Sequence, residues 1–188
     1  MPLIFLLILW VSLTSPLLAE GTYSELNDLS VANALGGAEI LQIIRSPAKI
    51  LAQRVDTPGA EKNSEPSDEF PGIIELGAPV DVPSETAAKL RNILGNSATY
   101  LAVPKRCRFR ANVRLIFEAA SKPPVELIFC FGCGEVEIWQ DGQLTAFSPF
   151  DPAYGEILAA AQEIFPNDEF LKSFSPEVFA ERAKAMRQ

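Results

Sequence analysis

From Val125 onward, apolar and polar residues alternate with a period of two. Val125, Leu127, Phe129 and Phe131 fall on one face of an extended segment, and Glu126, Ile128 and Cys130 on the other. Gly134 to Gln140 repeats the pattern, with Val136 and Ile138 opposite Glu135 and Glu137, and Trp139 on the glutamates' face. Asp141-Gly142 is a two-residue hairpin signal, so Leu144 to Phe147 reads as the returning strand. Arg106 to Phe117 holds further alternating segments, and Lys122-Pro123-Pro124 reads as the turn that joins them to Val125. Together these segments predict an antiparallel β-meander over about residues 106–148.

Other periodicities surround the meander. Ala48 to Val55 reads as a strand, while Ala38 to Ile44 fits a short helix or a strand equally well. Ile73 to Val82 reads as extended, broken by Gly77 and Pro79. A helix follows, with Ser84 as its N-cap, Leu90, Ile93 and Leu94 as its apolar stripe and Gly95 as its stop. Asp151-Pro152 opens a second helix with Ile157, Leu158, Ala161, Ile164 and Phe165 on one face. Ser175-Pro176 opens a third, with Val178, Phe179, Ala183 and Met186 as the stripe. Strands cluster and helices flank them, which makes the class α+β.

Two stretches stand apart. Leu3 to Val11 is a short apolar run, Pro16 breaks it, and Leu17-Leu18-Ala19 precedes Glu20. This is the layout of a cleavable signal peptide over residues 1–19, leaving 20–188 as one α+β domain without an integral membrane span after cleavage; the alternative is an uncleaved anchor, for which the apolar run is short. Asp56 to Pro71 is rich in Pro, Ser and acidic residues, too polar to offset its ordering entropy, and is expected to be a mobile loop.

Charge and composition narrow the chemistry. The 24 acidic and 16 basic residues give a formal net charge of −8, which disfavours a nucleic-acid or anionic-membrane partner. The sequence contains no His, which removes Ser-His-Asp, Cys-His and His-based metal chemistry. No Gly-rich phosphate loop and no serine nucleophile elbow is present.

The cysteines carry the most pointed signal. Cys130-Phe131-Gly132-Cys133-Gly134 lies between two strand-like runs, and Cys107 lies upstream. A thioredoxin-type redox pair needs a helix start at the motif, and Gly134 to Trp139 is strand-like instead. The Cys-x-x-Cys-Gly spacing resembles one half of a rubredoxin-like or zinc-ribbon knuckle, which implies zinc or iron held by Cys107, Cys130 and Cys133 with a carboxylate such as Glu135, or water, as the fourth ligand. In an oxidising compartment, Cys107 pairs instead with Cys130 or Cys133 and leaves one free thiol. A third alternative is three buried cysteines acting as small apolar residues.

Lys105-Arg106-Cys107-x-Phe109, followed by a strand pair and then by Cys130-Phe131-x-Cys133, resembles an uncharacterised group of bacterial secreted proteins. The resemblance spans roughly residues 100–140 and implies a shared fold more than a shared chemistry. Members of that group often carry Pro-Arg-His after the first cysteine, where this chain reads Arg110-Ala111-Asn112.

Two charged patterns remain. Lys105, Arg106, Arg108, Arg110 and Arg114 crowd one segment, in which Arg106, Arg108 and Arg110 share a face opposite Cys107 and Phe109 at strand spacing; this would make an anion site, a means of lowering the Cys107 pKa, or simply partners for Glu126, Glu135 and Glu137 on neighbouring strands. Glu135 and Glu137 read as solvated positions on a half-buried sheet rather than as a catalytic pair. The expectation is an exported, secreted or periplasmic, non-enzymatic domain without a cofactor. Its role would be binding or envelope-associated, with a protein partner in the cell envelope and with structural cysteines. The alternative is a thiol-redox or metal-handling protein.

Overall fold

A computed structural model describes residues 17–57, 72–101, 105 and 107–186. The expected loop at 56–71 lies outside these residues except for Asp56 and Thr57, and so do residues 1–16 of the expected signal peptide. The protein is α+β. Six helices accompany an antiparallel sheet of seven strands among the described residues.

The strands are β1 (Lys49–Asp56), β2 (Ile74–Glu75), β3 (Val80–Asp81), β4 (Val113–Ala119), β5 (Lys122–Cys130), β6 (Glu135–Gln140) and β7 (Gln143–Pro149). They lie in the order β2-β1-β4-β5-β6-β7, with β3 also paired to β1. β4 to β7 form the meander, each strand beside the next. β1 adds to its β4 edge. The β6–β7 hairpin turns at Asp141 and Gly142, whose φ values of 52° and 68° are those a two-residue primed turn demands.

The helices are α1 (Leu17–Leu35), α2 (Ala38–Arg45), α3 (Ser84–Leu94), α4 (Tyr154–Ile164), α5 (Glu169–Lys172) and α6 (Pro176–Met186). Ala38 to Ile44, which fitted helix or strand, is helical because Ile40, Leu41, Ile43 and Ile44 make a buried stripe at helical spacing. The main core lies between the helices and one sheet face. Ile50, Ala52, Val113, Leu115, Phe117, Val125, Leu127, Phe129, Val136 and Ile138 meet side chains of α2, α3, α4 and α6 there. Phe131 closes this core at the end of β5, with ring centroids 6.3 Å from Phe129, 6.1 Å from Phe150, 6.0 Å from Tyr154 and 5.9 Å from Phe174.

α1 lies against the β7 edge. Ser148 Oγ donates to the Ala34 carbonyl at 2.6 Å, and a Cβ at Gly36 (φ +91°) would sit 3.0 Å from the Thr145 carbonyl oxygen. Arg45 ties three helices together, donating to Asp28 of α1 and to the Gly95 carbonyl beyond α3. α1 also runs through the expected cleavage point after Ala19. Val31, Ala32 and Leu35 of α1 belong to the core. No helix among the described residues is long and apolar enough to cross a membrane.

Four local expectations are corrected. Lys122-Pro123-Pro124 is not the turn. The chain turns at Ala120 and Ser121, and both prolines lie within β5. They are tolerated because β6 pairing starts only at Val125↔Gln140, and the β4–β5 register shifts between Phe117 and Ala119, so their missing N–H groups disrupt no regular ladder. The first strand of the meander begins at Val113 rather than near Arg106, and residues 107–112 carry no strand pairing. Ser84 is the first helical residue of α3, preceded by Pro83. Val178 lies on the exposed side of α6, while Phe179 and Ala183 are buried.

Replacing Phe131 by Ala removes the ring that joins the strand end to the core and should lower unfolding stability by about 3–5 kcal/mol. Val178→Ala, at an exposed site, should change it by less than about 0.5 kcal/mol. Urea denaturation of both variants checks the contrast.

Candidate functional site: a clamped knuckle beside a cavity

The second face of the sheet carries Gln53, Arg114, Glu126, Ile128, Cys130, Glu135, Glu137 and Trp139. Solvent does not bathe it uniformly. Val55, Ile73, Ala111 and Ile128 form a second buried cluster there, with Phe109 and Trp139 packed against it. Arg114 and Glu126 are 4% and 8% exposed. Arg114 donates to Gln53 at 3.0 Å and to Glu75 at 2.5 Å, and its Nη1 lies 3.2 Å from Glu126. One guanidinium here answers two carboxylates and an amide, and the group reads as structural.

The cysteine knuckle begins where β5 ends. The N–H groups of Cys133 and Gly134 donate to the Cys130 carbonyl at 3.3 and 2.8 Å, closing a tight turn. Gly134 has φ +66°, and a Cβ there would sit 2.8 Å from Asp151 Oδ1 and clash still more closely with the Phe179 ring. Glycine is required on both counts. The sequence brings Cys107 to this turn. It forms a disulfide with Cys133, with Cα atoms 5.9 Å apart, well within bridging range. Cys130 remains a free thiol, 1% exposed. Its sulfur accepts the Arg110 N–H at 3.3 Å, yet burial outweighs that bond and pushes its pKa up.

Lys105 makes the second clamp. Its side chain is fully buried, and Nζ donates to the carbonyls of Cys133 at 2.7 Å and Gly134 at 3.1 Å and to the Asp151 carboxylate. The same ammonium lies 5.3 Å from the Phe179 ring centroid, within cation–π range. An ammonium has three N–H bonds, and all three find an acceptor here. Phe179 in turn stacks on Tyr154, whose hydroxyl donates to the Phe131 carbonyl at 3.1 Å. The knuckle, α4 and α6 are thus fastened as one unit.

Beyond Lys105, the chain runs as a strap over the sheet end. Asn112 N–H donates to the Phe129 carbonyl at 2.9 Å, and its side-chain oxygen accepts the Phe131 N–H at 2.7 Å. Arg110 pairs with Asp56 at 2.9 Å. Arg108 and Arg110 are exposed while Cys107 and Phe109 are half-buried, the alternation expected of that segment, but the ion-pair partners differ from those expected. Arg110 uses Asp56, Lys105 uses Asp151, and of the foreseen pairings with Glu126, Glu135 and Glu137 the described residues show only Arg114 with Glu126. Arg106 lies outside the described residues.

Glu135 opposes Cys130 across the β5–β6 ladder and is 2% exposed. Burial raises its pKa. Lys105 opposes the rise, while Asp151 and Glu137 add to it. Glu137 is likewise raised by burial, partly offset by the Trp139 indole N–H, which donates to it at 3.0 Å. The reading of both as solvated positions is corrected: the strap and the second cluster cover their face. Ile128, Cys130 and Trp139 on the nominally polar side were the available signal for this.

A cavity of about 560 Å³ opens beside Glu135. Ser30, Asn33 and Ala34 of α1, Ser97, Tyr100, Leu101, Lys105, Glu135 and the β7 residues Phe147, Ser148 and Pro149 line it. Sequence reading missed this cavity, because α1 reaches β7 only in three dimensions. Among the described residues, no group of three His, Cys, Asp or Glu is arranged to hold a metal, and two of the three sulfurs are bonded to each other. Zinc or iron at Cys107, Cys130 and Cys133 would first require that bond to be reduced. No protein-family model, curated protein or solved structure matches the chain.

Lys105→Met should cost about 3–5 kcal/mol of unfolding stability, because it strips a buried pair of one partner. Lys49→Met removes an exposed pair with Asp81 and should cost under about 1 kcal/mol. Denaturant titrations of the two variants give the comparison.

Glu135 supplies a pH test. Its folded-state pKa lies above the unfolded value, so ionising it costs stability as pH rises from the ordinary glutamate range through the raised value. Glu135→Gln should match the parent near pH 4 and become progressively more stable than it towards pH 7, followed by thermal melts across that range.

Proposed function

We propose that this chain is an exported, non-enzymatic binding domain whose cysteines shape the site rather than react in it. The observation that carries the reading is the Cys107–Cys133 disulfide, which fastens the strap to the knuckle beside the cavity. A disulfide of this kind persists in an oxidising compartment, which supports a secreted or periplasmic location and agrees with the apolar amino-terminal run. Envelope association, with a protein partner there, remains part of the proposal. The resemblance of the Cys107 and Cys130-Phe131-x-Cys133 pattern to bacterial secreted proteins points the same way.

The chemistry of the remaining thiol argues against a redox role. Cys130 is buried and its pKa is pushed up, whereas a reactive cysteine is accessible and has a lowered pKa. The bridge closes a sequence separation of 26 residues, for which chain-entropy reasoning gives about 3.5 kcal/mol.

Thiol counting and elemental analysis on anaerobically purified protein test the reading. The expected result is no stoichiometric metal, no native thiol that reacts readily, one alkylatable thiol after denaturation without reductant and three after reduction. Cys107→Ser/Cys133→Ser should lower stability by about 2–4 kcal/mol. Stoichiometric zinc or iron, or a fast-reacting thiolate in the native protein, would favour the metal-handling or redox alternative.

A further inference from the structure

We propose that the cavity beside β7 binds a small amphipathic amine, with its ammonium group against the Glu135 carboxylate and its apolar body among Tyr100, Leu101 and Phe147. This deepens the binding-domain reading and rests on it. The volume of about 560 Å³ suits a small organic molecule.

The charge of the ligand follows from which groups are already satisfied. Lys105 lines the cavity, but its three N–H bonds are taken by the Cys133 and Gly134 carbonyls and by Asp151, so it has none left for an anion. Glu135 is the reverse case. It is 2% exposed and lines the same cavity, and its carboxylate has no hydrogen bond or ion pair among the described residues, the Lys105 ammonium acting on it only through the field. A buried carboxylate without a partner is costly, and a donor cation arriving through the cavity removes that cost. Among the described residues, Glu137 adds a second carboxylate near Glu135, which also favours a cation.

A metal ion is the poorer occupant. Hard divalent cations take six or more oxygen ligands, and this cavity offers one uncommitted carboxylate. One ammonium needs only a few acceptors. Ser30, Asn33 and Ser97 add polar groups to the wall, and the chain's net charge of −8 favours approach of a cation over that of an anion.

Calorimetric titration of the purified chain at pH 7.5 tests the proposal, with 2-phenylethylamine, 2-phenylethanol and phenylacetate as probes. The amine should bind at least tenfold more tightly than the alcohol or the carboxylate. Glu135→Gln should weaken the amine at least tenfold and leave the alcohol within twofold. Ser30→Trp, which adds bulk from an exposed position on α1, should weaken amine and alcohol together, with its melting temperature confirming that it folds. Alcohol or carboxylate binding as tightly as the amine, or an unchanged affinity in Glu135→Gln, overturns the amine assignment and leaves the cavity as a binding site. Failure of all three probes to bind the parent chain overturns the amine assignment and the binding-domain reading together.

Discussion

An ammonium removed from water must find an acceptor for each of its three N–H bonds, and around Lys105 the fold supplies them from two separate regions of the chain. The Cys133 and Gly134 carbonyls come from the knuckle, and the Asp151 carboxylate from the start of the last helical region. Much else follows from that demand. The Gly134 carbonyl that accepts from Lys105 also accepts the Phe150 N–H at 2.8 Å, which fixes the exit of β7. Asp151 and Phe179 crowd Gly134 so closely that no side chain fits there. The disulfide then holds Cys107, two residues beyond Lys105, on the same knuckle. Covalent and ionic clamps reinforce one another, because each shortens the excursion available to the other.

The two faces of the sheet divide the work. The helix-covered face is an ordinary close-packed core, rich in phenylalanine and closed by Phe131. The other face mixes a small apolar cluster with buried charges, and those charges differ in kind. Arg114 sits among Gln53, Glu75 and Glu126, so its charge is answered within the protein. Glu135 is buried with no side-chain hydrogen bond among the described residues, and the field of Lys105 only partly offsets the cost of burying it. That contrast is what the proposed amine site rests on.

Much of the fold was legible in the sequence because it depends on short-range pattern. The period-two alternation from Val125 to Ile138 placed β5 and β6, and Asp141-Gly142 placed the hairpin. The stripes of α3, α4 and α6 followed from helical spacing and from Gly and Pro punctuation. The errors arose where tertiary context overrides local chemistry. Pro123 and Pro124 look like a turn, yet they lie in a strand at a point where no regular ladder needs their N–H groups. The arginines after Lys105 look like a strand face, yet residues 107–112 form a strap whose bonds go to a knuckle and a strand far away in sequence. That the upstream sulfur meets the knuckle was a spatial expectation, and the structure bears it out. The choice of Cys133 over Cys130 was not legible, because both lie within the same few residues and both are buried. The cavity was also invisible, since its walls come from α1, the segment after α3, the strap and β7.

The central claim is that the Lys105 ammonium is locked inside the folded protein by the knuckle. Acetylation of the native chain with a small amine-reactive ester, read lysine by lysine by peptide mass spectrometry, tests it most directly. Lys49, Lys89, Lys122, Lys172 and Lys184 all have side chains at least two-fifths exposed and should be modified readily. Lys105 should stay unmodified until the protein is unfolded. Modification of Lys105 at a rate comparable with the others, in protein that is still folded, would contradict the account.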